Sequence, residues 1–283
     1  MTRPTGSLVP KPDPDARERR IAGGLFFATC CSVFVVNLLR WREGSLLDDP
    51  DAVGRALLFT VLLMGILLAH EMGHYAVARL HGFRLTMPWF LPAPFLVGTF
   101  GAVIRLEESP RTRTGLLEMG AAGPLAGLVA VALALALGAL FGGEVEARPA
   151  EVVLARPLLL YLFGTGPVSP VDPVAFAAWI GCLLTAMNLL PFGQLDGGHI
   201  ASALAPEHAE KLSWGVTALL LAGGLLWPGW PVWAVVLHLL GTRHAVAPRR
   251  AEARLSPRAR WAAGAAVLAF LLTFTPAPIT WPS

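Results

Sequence analysis

Two histidines and a glutamate stand together at His70-Glu71-Met72-Gly73-His74, directly after the uncharged apolar run 61–69. On a helix, residues i and i+4 lie on one face. His70 and His74 therefore offer two imidazoles to one metal ion, with Glu71 beside them to activate a bound water. Ionisable groups are costly in hydrocarbon, so such a cluster in a membrane-grade segment marks a functional site and points to hydrolysis within the membrane. A second constellation follows at Asn188-Leu189-Leu190-Pro191-Phe192-Gly193-Gln194-Leu195-Asp196-Gly197-Gly198-His199. Catalytic zinc takes three protein ligands and keeps one position for water, and Asp196 can supply the third. Asn188 and Pro191 break or end a helix there, and the glycines let the chain turn the carboxylate inward. The competing reading of Asp196 is plain turn chemistry, and Glu118 competes with it as a third ligand. Asn188 is a candidate donor to substrate backbone or to a developing oxyanion, or else it bonds backbone freed by Pro191. His199 is a second-sphere or fourth-ligand candidate, with a loop or helix-start role the simpler expectation. His81, His208, His238 and His244 have no partner pattern.

The elements that must carry these residues are membrane helices. The chain has 283 residues, 55% hydrophobic and 14% charged, with a mean hydropathy of +0.60. Soluble domains carry about 25% charged residues, so the fold class is an all-α polytopic membrane protein. The net charge of +3, without a basic patch interleaved with aromatics, argues against a nucleic-acid partner. Arg, Ala, Gly and Leu dominate, a GC-rich coding bias that points to a bacterium. Seven stretches are candidate spans: Ile21–Leu39, Val53–Leu80, Gly115–Phe141, Val174–Leu190, Leu212–Trp227, Pro231–Gly241 and Trp261–Phe274. The fifth and sixth are short, and form either two spans or a re-entrant hairpin over 212–241. With the N-terminus inside, every Lys and Arg except Arg40, Arg42, Arg55, Arg148 and Arg156 falls on the cytosolic side. The positive-inside rule therefore favours a cytosolic N-terminus, with the His-Glu cluster in the cytosolic half of the second span.

The connecting segments read as follows. Pro88, Pro92 and Pro94 keep 83–106 from being a helix, and Gly98 to Leu106 looks extended, so a small membrane-associated β-hairpin is expected. An edge of that kind can hold an unwound peptide by strand addition. Residues 144–172 form an acidic outside loop, with an interfacial helix expected over 152–163. Cys30, Cys31 and Cys182 read as small core residues rather than disulfides or metal pairs. Trp41, Trp227, Trp230, Trp261 and Trp281 sit near span ends, as interface anchors do. Gly123-Pro124-Leu125-Ala126-Gly127 reads as a close-packing site. No small-residue cleavage site follows the first apolar run, so a retained first helix is expected.

Three stretches together resemble the site-2 protease family of intramembrane zinc metalloproteases: His70-Glu71-Met72-Gly73-His74; Gly98–Ala102 with Ala122–Gly127; and Asn188–Pro191 through Leu195-Asp196-Gly197. The similarity is greatest to the branch holding the plant plastid EGY proteins and their bacterial relatives. It covers roughly 61–200 and implies a three-helix catalytic core, zinc (Zn2+) held by His70, His74 and Asp196, and Glu71 as general base. It also implies regulated cleavage of transmembrane segments in single-span membrane proteins within a lipid bilayer. Neither the PDZ domain nor the CBS pair of many members fits: the 144–172 loop and the C-terminal tail are too short. The expected organisation is a disordered cytosolic tail (1–20), a peripheral first helix and outside loop (21–52), a catalytic core (53–200) and peripheral C-terminal helices (201–283). The expected location is the bacterial cytoplasmic membrane, and the pattern sets no oligomeric state. The alternative from another class is a metal-binding transporter or scaffold without peptidase activity. Transport needs further intramembrane ligands along a path, and only Glu118 and His238 offer themselves.

Overall fold

The computed structural model describes residues 14–42, 49, 51–106, 112–141, 153–240 and 254–280. The chain there is mostly helical. Helix α1 (Pro14–Trp41), α2 (Asp51–Leu80) and α3 (Arg113–Phe141) run 28, 30 and 29 residues. At 1.5 Å per residue each exceeds the ~30 Å hydrocarbon thickness, and all three are apolar enough to cross it. Shorter helices follow: α4 (Leu158–Leu162), α5 (Pro173–Asn188), α6 (Asp196–Leu204), α7 (Ala209–Gly223), α8 (Gly229–Leu240) and α9 (Pro257–Thr273). α5 is 16 residues long, α7 15, α8 12 and α9 17.

The centre is a triangle of α2, α3 and α5, each touching the other two. α1 packs on α2; α6 and α9 pack on α3; α7 and α8 pack on each other. Small residues allow this closeness. A Cβ on Gly73 of α2 would collide with the Ala122 carbonyl of α3, and one on Gly181 of α5 would lie 2.6 Å from Val131.

Sequence periodicity misplaces several boundaries. α1 starts at Pro14, so residues 14–20 of the expected disordered tail are helical. Hydropathy marks only the apolar part of a helix, not the polar turns that extend it. The 152–163 helix shrinks to α4, because Pro157 occupies its N-cap and Val153–Leu154 (β3) pairs antiparallel with Ile279–Thr280 (β4). Strands β1 (Trp89–Pro92) and β2 (Thr99–Val103) pair antiparallel, with Trp89 opposite Val103 and Phe90 opposite Ala102. Trp41 and Trp230 are buried rather than interfacial: their indoles donate to the carbonyls of Pro170 and Pro276 at 2.8 and 2.6 Å. Trp261 is exposed, as an anchor would be. Cys182 is buried in the core, but Cys31 is exposed. Arg111, His244, Trp281, residues 142–152 and the basic stretch 243–250 lie outside the described residues.

Candidate metal centre

The site is built where α2 meets α3 and the start of α6. The i, i+4 geometry of α2 brings the two imidazoles together, with His70 Nε2 3.2 Å from His74 Nε2. Asp196, the first residue of α6, completes the group. Its Oδ2 lies 3.2 Å from His70 Nε2 and its Oδ1 3.2 Å from His74 Nε2. One ligand atom from each residue lies within 4.8 Å of the other two. A tetrahedral ion with bonds of about 2.0–2.1 Å separates its ligands by about 3.3 Å. The donor set and its spacing therefore fit zinc.

Asp196 reaches this point because the chain breaks after α5. Helix α5 ends at Asn188, Pro191 follows, and Gly193 turns with φ +47°. The two glycines after Asp196 are helical, so their role is close approach rather than unusual torsion. A Cβ on Gly197 would strike the Leu189 carbonyl, and one on Gly198 would strike that of Gly193. Arg113 of α3 secures the far end of α6, donating from Nε to Ala203 O at 2.8 Å and from its guanidinium to Leu204 O at 2.9 Å. Those are the carbonyls that a helix C-terminus leaves without partners.

Helix α3 shapes the cluster from its other side. His74 Nδ1 donates to the Met119 carbonyl at 2.8 Å, which leaves Nε2 as the free lone pair aimed at the centre. A Cβ on Gly123 would drive into the His74 ring, and one on Gly127 would lie 3.3 Å from His70 Nδ1. The expected close-packing motif is thus a bed for the imidazoles. Glu71 is buried beside them and interacts electrostatically with His70, His74 and Asp196. Asn188 Nδ2 lies 3.4 Å from His70 Nε2, at the rim of the group.

Glu118, the competing ligand, is engaged elsewhere. His81 Nε2 is 3.0 Å from its Oε2, and Ser256 Oγ of the α9 N-cap donates to its Oε1 at 3.3 Å. His81 therefore has a partner that its sequence context did not reveal. His238 packs between Phe192 and Trp214 and donates to its own helix at Ala234. His199 lies in the first turn of α6, and its Nδ1 is buried without a hydrogen-bond partner among the described residues. The residues that sequence reasoning missed are Met119, whose contribution is a backbone carbonyl, and Arg113. The first carries no side-chain signal at all.

The model of the family described as "Peptidase family M50" matches residues 58–225, a stretch that holds all three clustered residues and Glu71. The chain belongs to peptidase family M50. Among its relatives is "Probable zinc metalloprotease EGY2, chloroplastic" of Arabidopsis thaliana, 32% identical over 272 residues, covering 88% of this chain and 48% of that protein. The like-named protein of Oryza sativa subsp. indica is 32% identical over 258 residues, covering 86% and 47%. "Probable zinc metalloprotease EGY1, chloroplastic" of Arabidopsis thaliana is 28% identical over 203 residues, covering 65% and 37%. The chain spans about half the length of the EGY2 relatives it matches.

Proposed function

We propose that this M50 chain is an intramembrane zinc metalloprotease that cleaves transmembrane segments of single-span membrane proteins, as in regulated intramembrane proteolysis. One observation carries the reading: two imidazoles on a helix long enough to cross a bilayer converge at zinc-ligand spacing with the carboxylate that begins α6. His70, His74 and Asp196 would hold the ion. When bound, zinc supplies a water with a pKa near ~7 and a Lewis acid for the scissile carbonyl. Glu71 takes the proton of the attacking water and passes it to the leaving amine. Asn188, at the rim, donates to the substrate backbone or the developing oxyanion. Gly123 and the Met119 carbonyl keep His74 in its working orientation. A substrate helix shields its own peptide bonds, so it must unwind first, and the edge of β2 that pairs with no other strand among the described residues is the surface that receives the extended chain.

The wider arrangement belongs to the same proposal. About seven spans run from a cytosolic N-terminus, with α7 and α8 either two short spans or a re-entrant hairpin and the β1–β2 pair associated with the membrane. The functional unit is 53–200, flanked by 21–52 and 201–283. The membrane is the bacterial cytoplasmic membrane, with the site in its cytosolic half.

The test compares the wild type with Glu71→Gln. The expected result is unchanged zinc content and a loss of cleavage of at least about a hundredfold, the scale of a lost general base. In cells expressing the variant, intact single-span proteins accumulate, and new termini inside their spans disappear. If both proteins bind metal and no terminus differs, the transporter or scaffold reading replaces this one.

A further inference from the structure

Helix α1, which the sequence places outside the core, grips the turn between β1 and β2 with polar side chains. Ser32 Oγ donates to the Ala93 carbonyl at 2.9 Å and Asn37 Nδ2 to the Val97 carbonyl at 3.1 Å. Arg40 donates to the carbonyl of Leu96. The turn itself is shaped for this fit. Leu96 has φ +56° and Gly98 φ +95°, and a Cβ on Gly98 would sit 2.7 Å from Val33 N. Lower down, Phe26 meets Phe90 edge-on at 5.0 Å, and Glu18 Oε1 accepts from Met87 N at 2.6 Å. From Glu18 to Arg40 is about 33 Å of helix, close to the ~30 Å of a hydrocarbon core. The chain from Met87 through β1 to the turn therefore follows α1 over a length close to a bilayer's depth.

A carbonyl without a partner in hydrocarbon costs several kcal/mol. Three turn carbonyls find their donors on α1. Asn37 is fully buried; its Nδ2 also donates to Val33 O at 2.8 Å, while its Oδ1 has no hydrogen-bond partner among the described residues. The grip has a consequence beyond satisfying the turn. β1 packs mainly on α1, while β2 touches α2, the helix that carries His70 and His74. Among the described residues β2 pairs with no strand other than β1.

We infer that Ser32, Asn37 and Arg40 are positioning residues: by fixing the turn against α1 they set where the β2 edge stands for an incoming substrate strand. The inference rests on the protease reading above. It makes α1 part of the substrate apparatus rather than a peripheral helix.

The experiment uses the full chain in proteoliposomes with a single-span test substrate carrying an Asn-Pro pair in mid-span. Wild type, Asn37→Leu, Ser32→Ala and Ser32→Thr are compared, with Val35→Ala on the exposed side of α1 as control and Glu71→Gln as the inactive reference. Zinc content, KM, kcat and hydrogen exchange of residues 89–103 are read for each. Losing the side-chain bond to the turn is expected to raise KM about tenfold. In Asn37→Leu and Ser32→Ala, kcat and zinc content stay within about twofold of wild type, and exchange in 89–103 quickens. Ser32→Thr, which keeps the hydroxyl, restores the wild-type KM. Faster exchange with unchanged KM would reduce the grip to a structural role and overturn the inference, as would no change in either. If wild type and Glu71→Gln behave alike, the protease reading itself has failed and takes this inference with it.

Discussion

Helix α2 and the α5–α6 segment bring the three candidate ligands to the same point by opposite means. α2 is a single unbroken helix of 30 residues, and its pitch puts His70 and His74 on one face, with their Nε2 atoms 3.2 Å apart. Asp196 arrives by a break: α5 stops at Asn188, the chain turns through Pro191 and Gly193, and α6 begins at the ligand itself. The first route starts from helix geometry, with α3 orienting the His74 ring through the Met119 carbonyl and the space left by Gly123. The second needs a backbone-on-backbone fit at Gly197 and Gly198 and an anchor at the far end of α6. The continuous helix should therefore fail when a donor is removed or when the α3 bed under the His74 ring is filled, whereas the broken route should fail by degrees as its backbone supports are taken away.

Removing a ligand is the largest change available. His74→Ala and Asp196→Ala are each expected to lower zinc affinity by about a hundredfold or more. Apparent zinc-site energies of about 10–16 kcal/mol shared over four ligands assign roughly 3 kcal/mol or more to each. Glu118→Ala should leave zinc content unchanged, since Glu118 is paired with His81 and Ser256. Metal analysis of the purified variants checks this, and zinc loss in Glu118→Ala would refute the assignment of the third ligand to Asp196.

This asymmetry also explains what could be read in advance. His70, Glu71 and His74 are legible because their spacing is the helix repeat, and Asp196 because Asn188, Pro191 and two glycines announce a break. The helical candidates could be located from apolar runs, with ends wrong by a few residues where polar turns such as 14–20 prolong the helix. The tertiary partners could not be read. The Met119 carbonyl has no side-chain signature, and the His81–Glu118 contact joins residues 37 apart on different elements. Strands of two residues, such as β3 and β4, are too short to show alternation, and their pairing joins the segment before α4 to the chain end. The glycine motif on α3 was correctly expected to allow close packing, but what packs there is the His74 ring itself.

Gly123 and Gly65 sharpen the comparison from within the unbroken route. A Cβ on Gly123 would enter the His74 ring, whereas nothing lies within 4 Å of one on Gly65 in α2. Gly123→Ala is expected to displace the imidazole and lower zinc affinity about tenfold to a hundredfold, the range seen when a ligand's supporting contacts are lost. Overpacking adds a stability cost of about 1–3 kcal/mol. Gly65→Ala should keep full zinc affinity and gain up to about 1 kcal/mol from helix propensity. Zinc titration and thermal unfolding of the two variants separate these outcomes. Equal zinc affinity in both would show that α3 does not hold the ring.

The smallest expected effect tests the broken route at its far end. Arg113→Met keeps an apolar stem of similar length but removes the donors to Ala203 O and Leu204 O. The Leu204 contact is exposed, so its share is small after solvent screening. The loss should come to about 1 kcal/mol. Because α6 begins at Asp196, part of that loss is transmitted to the ligand, and zinc affinity is expected to fall about threefold to fivefold while His70 and His74 keep their places. A zinc titration on the intact protein reads this directly. If affinity is unchanged while thermal stability drops, the turn at Asn188–Gly193 and the close approach of Gly197 position Asp196 without help from the α6 C-terminus. The broken route would then be held from one end only.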